Sequence, residues 1–145
     1  MPRSRVLTLV ALAAYLVFVA AMTLGPQPID DSDNSVLRTV LRWLARSPLT
    51  SWLDYGVVEF LGNIALFIPL GALLVAALGV RHWWAALLLA GACTILIETA
   101  QLGLPGRVSD PRDLVSNTIG SGIGILVIVW GVLGRGRGTS TDDVR

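Results

Sequence analysis

The chain has 145 residues, of which 54% are apolar and only 14% charged, whereas a soluble domain carries charge on about a quarter of its residues. All eleven positive charges are Arg and the formal net charge is +1; the Arg residues flank apolar runs and form no basic face, which argues against a nucleic-acid partner. Cys93 is the one cysteine, so an internal disulfide and a cysteine-based zinc site are excluded as well.

A bilayer span needs about 20 mostly apolar residues, each adding ~1.5 Å of rise against about 30 Å of hydrocarbon. Val6 to Leu24 meets this without a single charge. Arg3 and Arg5 before it, with small residues at Ala20 and Ala21, also fit a signal peptide. Its apolar core exceeds the roughly 7–15 residues of such a leader, so a retained span is favoured. Residues 25–35, rich in Pro, Asp and Ser, read as a solvated loop. Residues 36–46 predict a short amphipathic helix, with Arg38, Arg42 and Arg46 on one side and Leu37, Val40, Leu41 and Leu44 on the other. Such a helix would lie in the headgroup layer or pack over the mouth of a bundle.

The second span is Val57 to Val80, with Glu59 and Asn63 near its start. Pro69 within it cannot donate to the carbonyl of Ala65, and a bend is expected there. Arg81 and His82 leave room only for a tight hairpin into the third span, Trp83 to Gln101, which opens on two belt-type tryptophans and carries Glu98 and Gln101 near its end. His82 reads as an interfacial residue. Leu114 to Leu133 is the fourth span, with Asn117 near its start. Its Gly120 and Gly124 permit close helix approach, within the chain or between copies. Residues 134–145, rich in Gly, Arg, Ser and Thr, read as a disordered tail. The fold class is therefore an all-α integral membrane protein. It has one domain, residues 1–133, of four transmembrane helices plus a short amphipathic interfacial helix between the first and second.

Orientation is close to a draw. With both termini inside, six Arg residues face the cytoplasm and five the other side. Arg3 and Arg5 before the first span, and Arg135 and Arg137 after the last, favour cytoplasmic termini.

Four antiparallel spans bring the start of the second, the end of the third and the start of the fourth to one side of the membrane. Each of those ends carries an acid with an amide: Glu59 with Asn63, Glu98 with Gln101, Asp113 with Asn117. Separations of three or four residues place each pair on one helical face. The preceding loop adds Arg107, Asp110 and Arg112 at the same level. Ionisable groups in a span are costly and face protein or water. Two readings stand. The groups lock the helix ends together, or they line a polar cavity that opens outward and binds something. The set Glu59, Asn63, Glu98, Gln101, Arg107, Asp110, Asp113 and Asn117 is the candidate ligand-binding site.

There is no GxSxG elbow, HExxH pair, phosphate-binding Gly loop or Cys/His ligand set. No cofactor and no metal site is assigned. Any catalysis would have to use carboxylates, or a metal held by Glu59, Glu98, Asp110 or Asp113.

Three blocks carry a family resemblance: Asn63-Ile-Ala-Leu-Phe67-Ile-Pro69-Leu-Gly71, Glu98-Thr-Ala-Gln101, and Arg107-Val-Ser-Asp110-Pro-Arg-Asp113-Leu-Val-Ser-Asn117-Thr-Ile-Gly120. Together they resemble the VanZ-like family of bacterial membrane proteins, named for a member associated with teicoplanin resistance. The resemblance spans roughly residues 59–124, with Pro111 and Ser121 less usual at their places. It implies a multi-pass protein of the bacterial cytoplasmic membrane with a link to glycopeptide tolerance or cell-envelope handling, and no settled reaction. The partners expected are membrane lipids, and a lipid-linked cell-wall precursor or a glycopeptide. Three functions compete: an accessory binding protein with Arg107 pairing an anionic group, a small carboxylate enzyme acting on lipid-linked envelope precursors, and a solute or ion pathway.

Overall fold

The computed structural model describes residues 3–25, 43, 46–47, 50, 52–104 and 110–138. Among the described residues four long α-helices follow one another: α1 (Arg3–Leu24), α2 (Tyr55–Leu78), α3 (Trp83–Gln101) and α4 (Pro111–Gly138), with a 3-10 turn at Val80–His82 between α2 and α3. Each helix is long and apolar enough to cross a membrane. The chain is an all-helical multi-pass membrane protein. The expected amphipathic helix at residues 36–46 lies outside the described residues apart from Trp43 and Arg46.

The helix ends follow from local chemistry. Asp54 caps α2, its extended backbone letting the carboxylate accept from the Val57 amide at 2.8 Å, which satisfies one of the orphan donors of the first turn. Asp110 does the same for α4, accepting from the Arg112 amide at 2.9 Å. Pro111 then occupies the first helical position, where a missing N–H costs nothing. Between α2 and α3 the chain reverses at Gly79, whose φ of 91° is open to glycine at no steric cost. The His82 amide closes the turn on the Gly79 carbonyl at 2.9 Å. At the other terminus α4 runs on to Gly138. Residues 134–138, expected within a disordered tail, are thus helical, and the rest of that tail, residues 139–145, lies outside the described residues.

The helices bury little. Val19 is the one buried residue of α1, and Leu7, Val17, Leu96 and Trp130 are exposed. In lipid this arrangement carries no penalty, because acyl chains solvate Leu as well as protein does. What holds the bundle is close packing. The most extensive interface is α2 against α4, and it is built on glycine. Gly120 lies against the Ile64 carbonyl, Gly124 against the Ile68 carbonyl, and Gly71 of α2 against the backbone of Ser121. The small-residue motif of α4 therefore serves packing within the chain. Phe67, Leu70 and Val75 of α2, Ala86 and Ala90 of α3 and Ile125 of α4 form the core. Helix α2 continues through Pro69. The Tyr15 hydroxyl of α1 donates to the Leu66 carbonyl at 2.8 Å, fixing α1 to α2.

Successive helices run antiparallel, so α1 and α3 point one way and α2 and α4 the other. Ser4, Arg5 and Thr8 of α1 face Ala77 and Leu78 of α2, and Gly79 just after it, at one end. The C-terminal ends of α1 and α3 meet the N-terminal ends of α2 and α4 at the other. The second end carries the polar residues.

A candidate polar binding site

At that end the side chains of Glu59 and Asn63 from α2, Glu98 and Gln101 from α3, and Asp113 and Asn117 from α4 line one cavity of roughly 100 Å³. This is room for several waters or one small head group. All three acid–amide pairs thus converge, α2, α3 and α4 each contributing one pair about one turn apart, with Glu59 the exposed member of the set. Asn63 donates from Nδ2 to Oδ1 of Asp113 at 2.7 Å, across the α2–α4 interface. Asp113 also stands within electrostatic reach of Glu98, Glu59 and Asp110. Among the described lining residues there is no Arg, Lys or His.

Gln101 ties in the first helix. Its Nε2 donates to the backbone carbonyl of Thr23 at 3.0 Å, one of the carbonyls that a helix C-terminus leaves without an intrahelical partner. This bond fixes the orientation of the amide and turns Oε1 the other way. Oε1 of Gln101 is then buried with no hydrogen-bond partner, and so is Oδ1 of Asn117. Gln101 is 6% exposed and Asn117 3%, so water outside the protein does not satisfy them. A buried polar atom without a partner costs about 1–3 kcal/mol. Two such acceptors belong to residues that also line the cavity, among three carboxylate residues. One turn further along α4, Ser121 is fully buried and its Oγ has no partner either.

The remaining candidates fall elsewhere. The Asp110 carboxylate caps α4 and is not part of the cavity wall. Arg107 lies outside the described residues. Arg112 is exposed, its guanidinium beside Gly56 at the start of α2. His82 sits at the opposite end of the bundle, its Nδ1 3.2 Å from the Leu78 carbonyl. Among the described residues no group of three acidic, His or Cys side chains is arranged to hold a metal ion.

Sequence reasoning left α1 out of the site. Met22 and Thr23 of α1, with Leu66 of α2 and Ile97 of α3, complete the wall. These residues carry no motif. The only available signal was span arithmetic, which brings the end of the first span to the same side as the other three ends.

The profile of one protein family, VanZ/LLP1, matches residues 11–134, which is most of the chain. No curated protein and no solved structure matches it.

Proposed function

The chain belongs to the VanZ/LLP1 family, and from that footing we propose that it is a binding protein of the bacterial cell envelope. In this reading it sits in the cytoplasmic membrane with both termini inside and holds part of an envelope molecule in its outward-facing polar cavity. The observation that carries the reading is the pair of buried, unpartnered amide oxygens of Gln101 and Asn117 beside the carboxylates of Glu59, Glu98 and Asp113. A cluster whose purpose was to lock helices together would pair its acceptors internally, as Asn63 and Asp113 do. Buried acceptors without a partner cost stability, and a ligand whose binding brings N–H or O–H groups to them offsets that cost.

The ligand belongs to lipid-linked envelope material. The cavity lies at one end of the four apolar helices, where head groups of such molecules would be met, and their hydroxyl and amine groups supply the missing donors. Arg107, in the segment that leads into α4, provides the partner for an anionic group of the same ligand. A role in glycopeptide tolerance follows if the chain sequesters or presents that material.

The test is binding of the purified full chain in nanodiscs to a lipid-linked peptidoglycan precursor and to teicoplanin. Saturable binding is expected for the wild type, weakened at least about tenfold in Asn117→Leu through loss of a buried polar contact. Arg107→Ala is expected to weaken retention of an anionic ligand. If neither probe binds saturably, or if Asn117→Leu binds as the wild type does, the reading is wrong.

A further inference from the structure

The end of the bundle opposite the polar cavity has an opening of its own. Tyr15 fixes α1 to α2 midway along the pair. Past that point α2 runs out through Ala76, Ala77 and Leu78, and the chain turns away at Gly79. Two alanines and a glycine are too small to fill the space between the helices. A cleft of about 340 Å³ remains between them and Ser4, Arg5 and Thr8 of α1, close to the roughly 300 Å³ at which small-molecule sites begin. The Thr8 hydroxyl donates to the Ser4 carbonyl at 3.1 Å. The donors the cleft offers a ligand are therefore the Ser4 hydroxyl and the N–H groups of the Arg5 guanidinium.

Charge is divided between the two ends of the bundle. The acids among the described residues, Asp54, Glu59, Glu98, Asp110 and Asp113, all belong to the end with the polar cavity. At the end with the cleft the described charged side chains, Arg3, Arg5 and Arg81, are all cationic and exposed. No acid among the described residues stands there to neutralise Arg5, and a basic pocket between spans is a place where an acidic head group is held. The surroundings mark the source of the anion. Leu7 and Val10, just past Arg5 along α1, are 69% and 61% exposed, so the hydrocarbon layer begins directly beside the cleft. A phospholipid held by its phosphate lays acyl chains on that surface, whereas free phosphate makes no use of it. A zwitterionic lipid brings its own cation among these arginines, with no described acid to receive it.

We propose that the cleft between the start of α1 and the end of α2 is a site for an anionic phospholipid of the leaflet at that end, its phosphate on the Arg5 guanidinium and the Ser4 hydroxyl and its acyl chains along the exposed face of α1. The site stands apart from the polar cavity and does not depend on what that cavity holds.

The experiment is native mass spectrometry of the full chain with dioleoyl phosphatidylglycerol and dioleoyl phosphatidylcholine, which share their acyl chains and differ in net charge. Phosphatidylglycerol is expected to be retained at about fivefold lower concentration, the factor that one basic side chain at a membrane surface supplies. Excess inorganic phosphate should not displace it. Arg5→Gln should abolish the preference, and Arg112→Gln, which removes an exposed Arg at the other end, should leave it intact. Ala77→Phe fills the cleft with every charge in place and should abolish the preference as well; Ala76→Phe makes the same test should Ala77→Phe fail to fold. Equal retention of the two lipids by the wild type, or a preference that survives Arg5→Gln, overturns the site. A preference that survives the filled cleft overturns the place of binding. An equal loss in Arg112→Gln overturns it too, since net charge alone would then set the preference, and displacement by inorganic phosphate overturns the lipid as occupant.

Discussion

Asn117 is a residue whose role separates stability from function. Its amide oxygen is buried without a partner, so replacement by Leu, of similar size, removes an unsatisfied acceptor and leaves no hole. Asn117→Leu is expected to unfold at the same or higher temperature than the wild type, by up to about 1–3 kcal/mol, while losing ligand. A thermal melt in detergent beside the binding assay checks both halves, and a destabilised variant would make Asn117 a packing residue. Asn63 behaves in the opposite way. It gives Asp113 a hydrogen bond at 2.7 Å, so Asn63→Leu strands a half-buried carboxylate and should cost about 1.5–3 kcal/mol in the same melt. Both residues stand out in the sequence as amides inside apolar runs. Which of the two is satisfied is invisible there, because it depends on an Asp fifty positions away in one case and on the lack of any donor near the buried oxygen in the other.

Among the elements, the α2–α4 pair sets the spacing of the site, since Asn63 and Asp113 reach one another only if the two backbones touch. Gly124 permits that contact. A Cβ there would meet the Ile68 carbonyl and stand 2.8 Å from the Ala72 amide nitrogen, backbone atoms that cannot swing aside. Gly124→Leu should cost about 3 kcal/mol or more by overpacking, read as loss of folded protein in detergent. Gly122, with nothing within 4 Å of its built Cβ, is the control: Gly122→Ala should be neutral or gain up to about 1 kcal/mol. The caps give a second prediction at this scale. Asp110→Ala should cost about 1 kcal/mol, as loss of an N-cap does, with ligand retention unchanged, because the Asp110 carboxylate is engaged by the Arg112 amide. The helices themselves were legible as charge-poor runs of the right length, and their boundaries moved by only a few residues at each end. The use of Gly120 and Gly124 was not legible, since the same spacing serves contacts within a chain and between chains.

For the molecule as a whole, alternation of four helices puts Glu59 and Glu98 at one face of the membrane and Gly79 at the other. Single cysteines at these positions, in a chain with Cys93→Ala, should react with a membrane-impermeant thiol reagent from one side for Glu59→Cys and Glu98→Cys, and from the opposite side for Gly79→Cys. Labelling of Glu59→Cys and Glu98→Cys from different sides would dissolve the site. The apolar runs alone determined that this chain lives in a bilayer as four helices, because hydrocarbon tolerates no unsatisfied backbone and admits helices of one narrow range of length. Short connections and alternating direction then determined which helix ends share a face. Only the tertiary structure decided that Asp110 caps a helix while Asp113 faces the cavity, that α1 contributes a wall through Thr23, and that two amide oxygens remain without donors. Those outcomes turn on distances of a few ångströms between residues far apart in the chain, and hydrophobic patterning, which specifies faces and lengths, carries no information on that scale.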